Sequence, residues 1–324
     1  MNYEFNIDGL TQYPWVGENY ENTKLLIVGE SLYTDKTHEE DYKKPEKLRE
    51  IIKENAIQNE VKMFRNLNRT LMGRDGLYNT QALWDNVAYC EFVQRIMDWT
   101  NDAQQPTSDY FKEGAEVFAK IIQKLKPAYC LFLGVRAIDF LGGEKIDSAK
   151  NNVRPRFLNY GDKTPCIAIK HPSAFFTPKE WGKYIARKSG ICDVISNLRE
   201  SSSIENFVDP IIKTSDNWNW DPEAAYLTYR EEPIKKAKWD LYAEWDFNIM
   251  EMSYGFVARE EPDDSEEQDD LYKKFVEQHE NIKKTFNLCG YSNGWLMFND
   301  ESFSYSGFKE QWDAIYKKLN EAIL

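Results

Sequence analysis

Two apolar runs that each end in a short polar string constrain this chain more than any other feature. Leu25-Leu26-Ile27-Val28 runs into Gly29-Glu30-Ser31, and Cys166-Ile167-Ala168-Ile169 runs through Lys170 into His171-Pro172-Ser173. Short, wholly apolar runs bounded by turn residues suit strands that are buried on both faces, as in a parallel sheet. In an open α/β sheet the loops leaving the carboxyl ends of the strands meet at one crevice, and ligands bind there. The two strings are about 140 residues apart in sequence, yet such a sheet makes them neighbours.

Two further runs fit the same plan. Leu83 to Tyr89 reads as a strand with Asn86 at its centre, and Ala128 to Gly134 as another, with Val135-Arg136-Ala137 opening a helix behind it. Periodicity alone does not separate such runs from buried helix, but their length and their Gly/Pro punctuation favour strands. Helices are expected at 46–55, 60–72, 109–125 and 178–199. Strands alternating with helices imply crossover connections, a mostly parallel sheet and an α/β fold.

With these motifs in this order, residues 20–200 resemble the uracil-DNA glycosylase superfamily, whose first motif is a G-E-or-Q loop and whose second is H-P-S. The resemblance implies a four-stranded parallel sheet flanked by helices, with Gly29 in the base-binding loop. It puts Asn86 where an asparagine reads the flipped base, its amide offering a donor and an acceptor to the O4 and N3–H edge of uracil. It puts His171 where a histidine donates to the base O2 as the glycosidic bond breaks, and Tyr33 near an aromatic that packs against the base. Ser31 stands where the best-known branch carries an aspartate that orients water, and Leu32 replaces the usual proline. Glu30 matches the branch that reads G-E. The water-positioning role therefore falls to Ser31 or Glu30, with the carboxylates of 39–41 as further candidates, and the substrate or chemistry is expected to differ from simple uracil removal. Taken singly, each string has a plainer reading: a turn after a strand, an ordinary loop, a buried amide at Asn86, a core-capping aromatic at Tyr33. Their joint occurrence at strand ends carries the resemblance.

The segment after His171 bears on nucleic acid. Phe175 and Phe176 precede Thr177, a candidate N-cap, and Pro178, which suits a first helical turn. In the family it resembles, this loop pushes an apolar side chain into the duplex where a nucleotide has left, so the resemblance implies that Phe175 or Phe176 is a wedge; the plainer reading is a hydrophobic staple at the helix entry. The chain carries a net charge of −13, but residues 1–200 hold 28 Lys/Arg against 28 Asp/Glu. Between 150 and 188, nine basic residues oppose only Asp162 and Glu180. Basic residues around the His-Pro-Ser string are the footprint of phosphate contacts. The DNA-contacting set is then Lys170, Ser173, Phe175, Phe176 and Lys179.

Composition shifts near 200, dividing the chain into a glycosylase-like domain at 1–200 and an acidic, Trp-rich α+β domain at 201–324. The second part holds 13 basic and 26 acidic residues and six of the ten tryptophans. Strands are expected at 223–230, 248–258 and 294–299, and helices where Leu271, Phe275, Ile282 and Phe286, and later Phe308, Trp312, Ile315 and Leu319, recur at helical spacing. Its role is open between structural support, added substrate recognition and a protein partner. The acidic run 260–270 reads as a solvated loop.

Five cysteines form no C-x-x-C pair, and none precedes Cys90, where an iron–sulfur branch of the family would need upstream ligands. No cofactor and no metal are expected, and three scattered histidines offer no zinc spacing. No signal-like or 18-residue apolar segment occurs, which points away from a membrane and to the cytoplasm. The expected function is a DNA glycosylase that flips a uracil-like, damaged or modified base in single- or double-stranded DNA and hydrolyses its N-glycosidic bond, in repair or phage defence. The rivals are a non-catalytic nucleic-acid-sensing or partner-binding module on the same fold, and a hydrolase of free nucleosides or nucleotides.

Overall fold

The computed structural model describes residues 4–73, 78–100, 105–142, 144–147, 156–160, 163–173, 176–187, 191–223, 226–231, 239–247, 251–258, 273–275, 277, 290–292, 295–302, 305 and 307–323. The chain divides into two compact units. One is Met1–Asp75 with Thr80–Ser202, the other Gly76–Asn79 with Ser203–Leu324.

The first unit is built on one sheet. Its strands are β1 (Trp15–Val16), β2 (Leu25–Gly29), β4 (Val87–Glu91), β6 (Tyr129–Leu133), β7 (Glu144–Asp147), β8 (Arg156–Tyr160) and β9 (Thr164–Ile169), while β3 (Tyr33–Thr34) and β5 (Met97–Asp98) form a separate pair. The order across the sheet is β1-β4-β2-β6-β9-β8-β7. β4, β2, β6 and β9 are mutually parallel, whereas β1, β8 and β7 pair antiparallel. The expected four-stranded parallel sheet is therefore the centre of a seven-stranded mixed one. The added antiparallel hairpin β7–β8 carries no continuous apolar run: Glu144, Lys145 and Asp147 interrupt β7, and Arg156 and Asn159 interrupt β8.

Both faces of the central strands are covered, which is why those strands lack alternation. On one face Leu26, Val28, Cys130 and Phe132 pack against α5 (Ser108–Leu125) through Phe118, Ile121 and Ile122. On the other, Tyr89 meets Phe64 of α3 (Lys62–Met72) and Trp84 of α4 (Thr80–Asp85), with ring centroids 6.1 and 6.0 Å away. After a short helix, α1 (Glu39–Tyr42), the predicted helix 46–55 is α2 (Lys47–Ile51) continued by a π-helical turn at Ile52–Ile57. The single helix predicted at 178–199 is two, α6 (Pro178–Ile185) and α7 (Ile191–Ser201). Behind β6 stands a 3₁₀ turn, Ala137–Phe140, rather than a full helix.

Leu83 to Tyr89 is not a strand: α4 runs to Asp85, Asn86 is the joint, and β4 starts at Val87. In the parallel register Leu25 faces Val87 and Gly29 faces Glu91. Asn86 thus lies at the amino end of the sheet, and Glu91 at the carboxyl end.

The second unit holds a six-stranded antiparallel sheet, β10 (Trp218–Asp221), β11 (Tyr226–Glu231), β12 (Trp239–Asp246), β13 (Glu251–Ala258), β15 (Trp295–Ser302) and β14 (Gly290–Ser292) in that spatial order. A helix, α8 (Glu205–Ile212), and another, α9 (Phe308–Ile323), pack on it through Val208, Phe308, Ile315 and Leu319. Trp245 lies within 5.3 Å, ring centroid to centroid, of both Trp218 and Trp312. These tryptophans form the core of their own unit, so their abundance reflects packing. The acidic run 260–270 lies outside the described residues.

Candidate active site

The carboxyl ends of the four parallel strands bring four groups together. β2 delivers Glu30 and Ser31, β4 delivers Glu91, β6 delivers Gly134 and Arg136, and β9 delivers Lys170 and His171. Pairing continues beyond the strands: Phe92 and Val93 donate their backbone N–H groups to Gly29 and Glu30 at 3.0 and 2.9 Å, and Met97 and Trp99 donate to Leu32 and Thr34 at 2.8 and 3.1 Å. Segment 29–34 and segment 91–99 therefore rise side by side from the sheet edge. Tyr33 sits on this ladder, opposite Met97, and is 36% exposed. Trp99, which the sequence did not single out, is 65% exposed at its tip.

Glu30 is clamped. Arg136 grips both of its carboxylate oxygens, Nε to Oε2 at 2.9 Å and Nη2 to Oε1, while Nη1 donates to Gln105 at 2.8 Å. Such a two-pronged pair fixes the carboxylate in orientation as well as in charge. Gly134, at φ +107°, holds a backbone conformation that side chains rarely adopt, and a Cβ there would lie 3.9 to 4.0 Å from Glu30 and His171. The turn after β6 thereby brings the Glu30 and His171 side chains close to one another.

The position and tautomer of His171 are set by its own loop. The Ser173 backbone N–H donates to Nδ1 at 3.3 Å, and the Ser173 hydroxyl lies 2.8 Å from the same nitrogen. An accepting Nδ1 leaves the ring proton on Nε2. Burial lowers the His171 pKa below the usual value, the Glu30 carboxylate opposes that shift, and Arg136 reinforces it. The imidazole is neutral at pH 7 and keeps an Nε2–H to donate. Asn66 of α3, itself buried, donates to the Pro172 carbonyl at 2.6 Å and anchors the loop.

Beneath this pair is a buried polar group that the sequence reading passed over. Glu91 and Tyr89 point to the same face of β4, and Tyr89 Oη donates to Glu91 Oε1 at 2.8 Å. Glu91 is 5% exposed. Burial raises its pKa to about 7, the Tyr89 hydrogen bond opposing that shift and the Glu30 charge adding to it. Its Oε2 and the Ser31 hydroxyl are both buried with no hydrogen-bond partner among the described residues. Gly29 makes room for the group, since a Cβ there would overlap Tyr89 Oη and Glu91 Oε2.

The other expected site residues are dispersed. Asn86 donates through Nδ2 to the Ala82 carbonyl at 2.7 Å and accepts from Asn22 at 3.3 Å, closing α4 at the far end of the sheet. The strand spacing of ~3.3 Å per residue puts it ~16 Å from Glu91. Asp41 is paired with Lys44 and Lys47, and Glu39 and Glu40 with Lys43. Phe176 stacks on Trp181 of α6 at 6.0 Å and 12°, and Pro178 is the first residue of α6 behind the N-cap Thr177. Ser173 and Lys179 are exposed and Lys170 is half-buried. Phe175 lies outside the described residues. Cys90, Cys130 and Cys166 are buried and free, and no group of residues able to hold a metal occurs among the described residues.

An α/β sheet whose carboxyl edge gathers a neutral histidine, a clamped glutamate and unpartnered buried polar atoms invites comparison with known families. The family model of the uracil DNA glycosylase superfamily matches residues 16–188. The chain belongs to that superfamily. A search of curated proteins returns no match. The matched span takes in all four strands of the parallel centre and the Gly-Glu-Ser and His-Pro-Ser strings, so superfamily membership and the polar carboxyl edge describe the same stretch of chain. Membership in this superfamily supports a hydrolase of the DNA glycosylase kind and binding to DNA. No helix among the described residues is long and apolar enough to cross a membrane.

Proposed function

We propose that the protein is a DNA N-glycosylase working at the carboxyl edge of the β4-β2-β6-β9 sheet. The observation that carries this reading is the neutral His171, whose Nδ1 is occupied by Ser173, beside the Arg136-held Glu30. A nucleotide extruded from duplex or offered on a single strand lays its base over the edge. His171 Nε2–H donates to a base carbonyl oxygen, and the C1′–N bond breaks with its electron pair moving onto the base. A fixed donor in a site with little water stabilises that charge efficiently. Water adds to C1′, guided by Glu30 and the Ser31 hydroxyl, and its proton leaves with the base. Lys170, Ser173 and Lys179 take phosphate contacts, and Tyr33 packs against the base.

An abasic-site assay with the whole chain tests this, on single- and double-stranded oligonucleotides carrying uracil, hypoxanthine, oxidised bases and hydroxymethylated cytosine. Abasic product that vanishes in His171→Ala with DNA affinity retained is the expected result. DNA binding with no product from any base would favour the non-catalytic sensing module instead. Release of a lesion base would place the protein in repair, and release of a phage-type modified base in phage defence.

A further inference from the structure

We infer that Glu91 reads the edge of the bound base, and that the base it selects carries an exocyclic amino group. This rests on the glycosylase reading for the identity of the ligand as a nucleobase, and on geometry for the rest. A buried carboxyl oxygen without a partner costs roughly 1–3 kcal/mol, and exceptions of this kind call for a cause. Glu91 Oε2 is such an atom, and Ser31 Oγ, at the same carboxyl edge, is another. Gly29 is the neighbour that lets the Tyr89–Glu91 pair reach the edge, because any Cβ there would occupy its space. A ligand that meets Oε2 accounts for the orphaned oxygen.

The chemistry of a carboxyl then fixes the class of base. Tyr89 holds Oε1, leaving Oε2, which packs over Gly29, as the oxygen without a partner. Ionised, the group is a pure acceptor and matches the amino and ring N–H donors of guanine, or the amino group of cytosine or adenine. Neutral, it donates from Oε2 to a ring nitrogen and accepts an amino hydrogen, which again fits cytosine or adenine. Uracil, thymine and hypoxanthine present carbonyl oxygens where the amino group would be, and these face an ionised carboxylate oxygen to oxygen. Amino-bearing bases are thus accepted in both protonation states, and their carbonyl counterparts in one. With its pKa near 7, the group gives a preference that widens as pH rises.

The test compares the wild type with Glu91→Gln at about pH 8, where the carboxyl is ionised. Identical oligonucleotides carry cytosine, 5-hydroxymethylcytosine, adenine, guanine, uracil or hypoxanthine at one position, and both base release and equilibrium binding by fluorescence anisotropy are read. The expected wild type favours the amino-bearing set over uracil and hypoxanthine by about 10-fold or more. Glu91→Gln, whose amide meets either kind of edge, brings that ratio close to unity. Glu91→Asp, which keeps the carboxyl, retains the sign of the preference and serves if the glutamine variant does not fold. A wild type that favours uracil or hypoxanthine, or a ratio unchanged in Glu91→Gln, overturns the inference while the glycosylase reading stands. Absence of release from every base, with a binding preference that Glu91→Gln removes, overturns the glycosylase reading and leaves the inference standing. No base preference in release or binding overturns the inference.

Discussion

Asn86 and Glu91 bracket the same strand, and the contrast between them separates what holds the first unit together from what it presents to a ligand. At the amino end the Asn86 amide both donates and accepts, and its backbone carbonyl receives the Thr23 hydroxyl. At the carboxyl end Glu91 Oε2 and Ser31 Oγ are buried and unmatched. Folding stability rewards the first arrangement and penalises the second. The end of the sheet that leaves Glu91 Oε2 and Ser31 Oγ unmatched also carries the clamped glutamate and the neutral histidine, and the proposed glycosylase reading puts the ligand there.

The sharpest way to break this contrast is to cut one side chain at each end and follow turnover. His171→Ala is expected to lower base release by about 10²–10³-fold, the range seen when one fixed donor to a developing negative charge is removed. Asn86→Ala is expected to leave release per folded molecule unchanged. A loss of turnover in Asn86→Ala comparable to that in His171→Ala, with folding intact, would place the base at the wrong end of the sheet in this account.

The next effect is on stability against pH. The folded Glu91 pKa of about 7 stands above its unfolded value near 4.5, so the folded state holds the proton more tightly. Its neutral form favours folding below the unfolded pKa, and that contribution is lost as pH rises through the folded value. The shift corresponds to about 3 kcal/mol. Glu91→Gln has no proton to lose, so urea unfolding should show the variant gaining on the wild type by about that amount between acid and alkaline conditions. A wild type and a variant with parallel pH–stability curves would mean that Glu91 is well solvated.

Smaller again is the cost of the amino-end amide. Asn86→Ala removes the amide's bonds to the Ala82 carbonyl and to Asn22, for a loss of about 1–3 kcal/mol at every pH. The pH dependence is the discriminating feature: flat for Asn86→Ala, sloped for Glu91→Gln.

Why the sequence pointed to Asn86 and passed over Glu91 follows from the physics of a sheet covered on both sides. Leu83, Trp84, Val87, Ala88 and Tyr89 are all buried, so neither helical nor strand periodicity marks where α4 stops and β4 starts. A shift along such a run costs no pattern. The strings after β2 and β9 were legible because an apolar run gives way abruptly to polar residues at a strand end. Glu91 also ends an apolar run, but a lone charged residue there reads as the first solvated residue of a loop. Its burial depends on Gly29 across the ladder and on Tyr89 two residues earlier, and the first of these contacts is invisible in local sequence. The Asn66 anchor under Pro172 was hidden for the same reason, since it joins residues far apart in the chain. Trp218, Trp245 and Trp312 show the converse: a conspicuous composition that the packing of one core explains.

The smallest predicted effect concerns Phe176, which stands on the loop between His171 and α6. Its ring lies parallel to that of Trp181 at 6.0 Å, and Trp181 in turn meets Tyr184 edge-on at 5.9 Å. A side chain so engaged at a helix entry acts as a staple, and withdrawing it into a duplex would forfeit the stack. Phe176→Ala is therefore expected to lower stability by about 1 kcal/mol, read as a shift in urea midpoint, with duplex affinity within about 3-fold of the wild type, which is less than 1 kcal/mol. Loss of duplex affinity with an unmoved midpoint would reverse the assignment and make Phe176 the wedge. The staple and the Asn66 anchor then have one consequence in common: both brace the His-Pro-Ser loop against the helices of its own unit, so that the donor on His171 meets its ligand already in place.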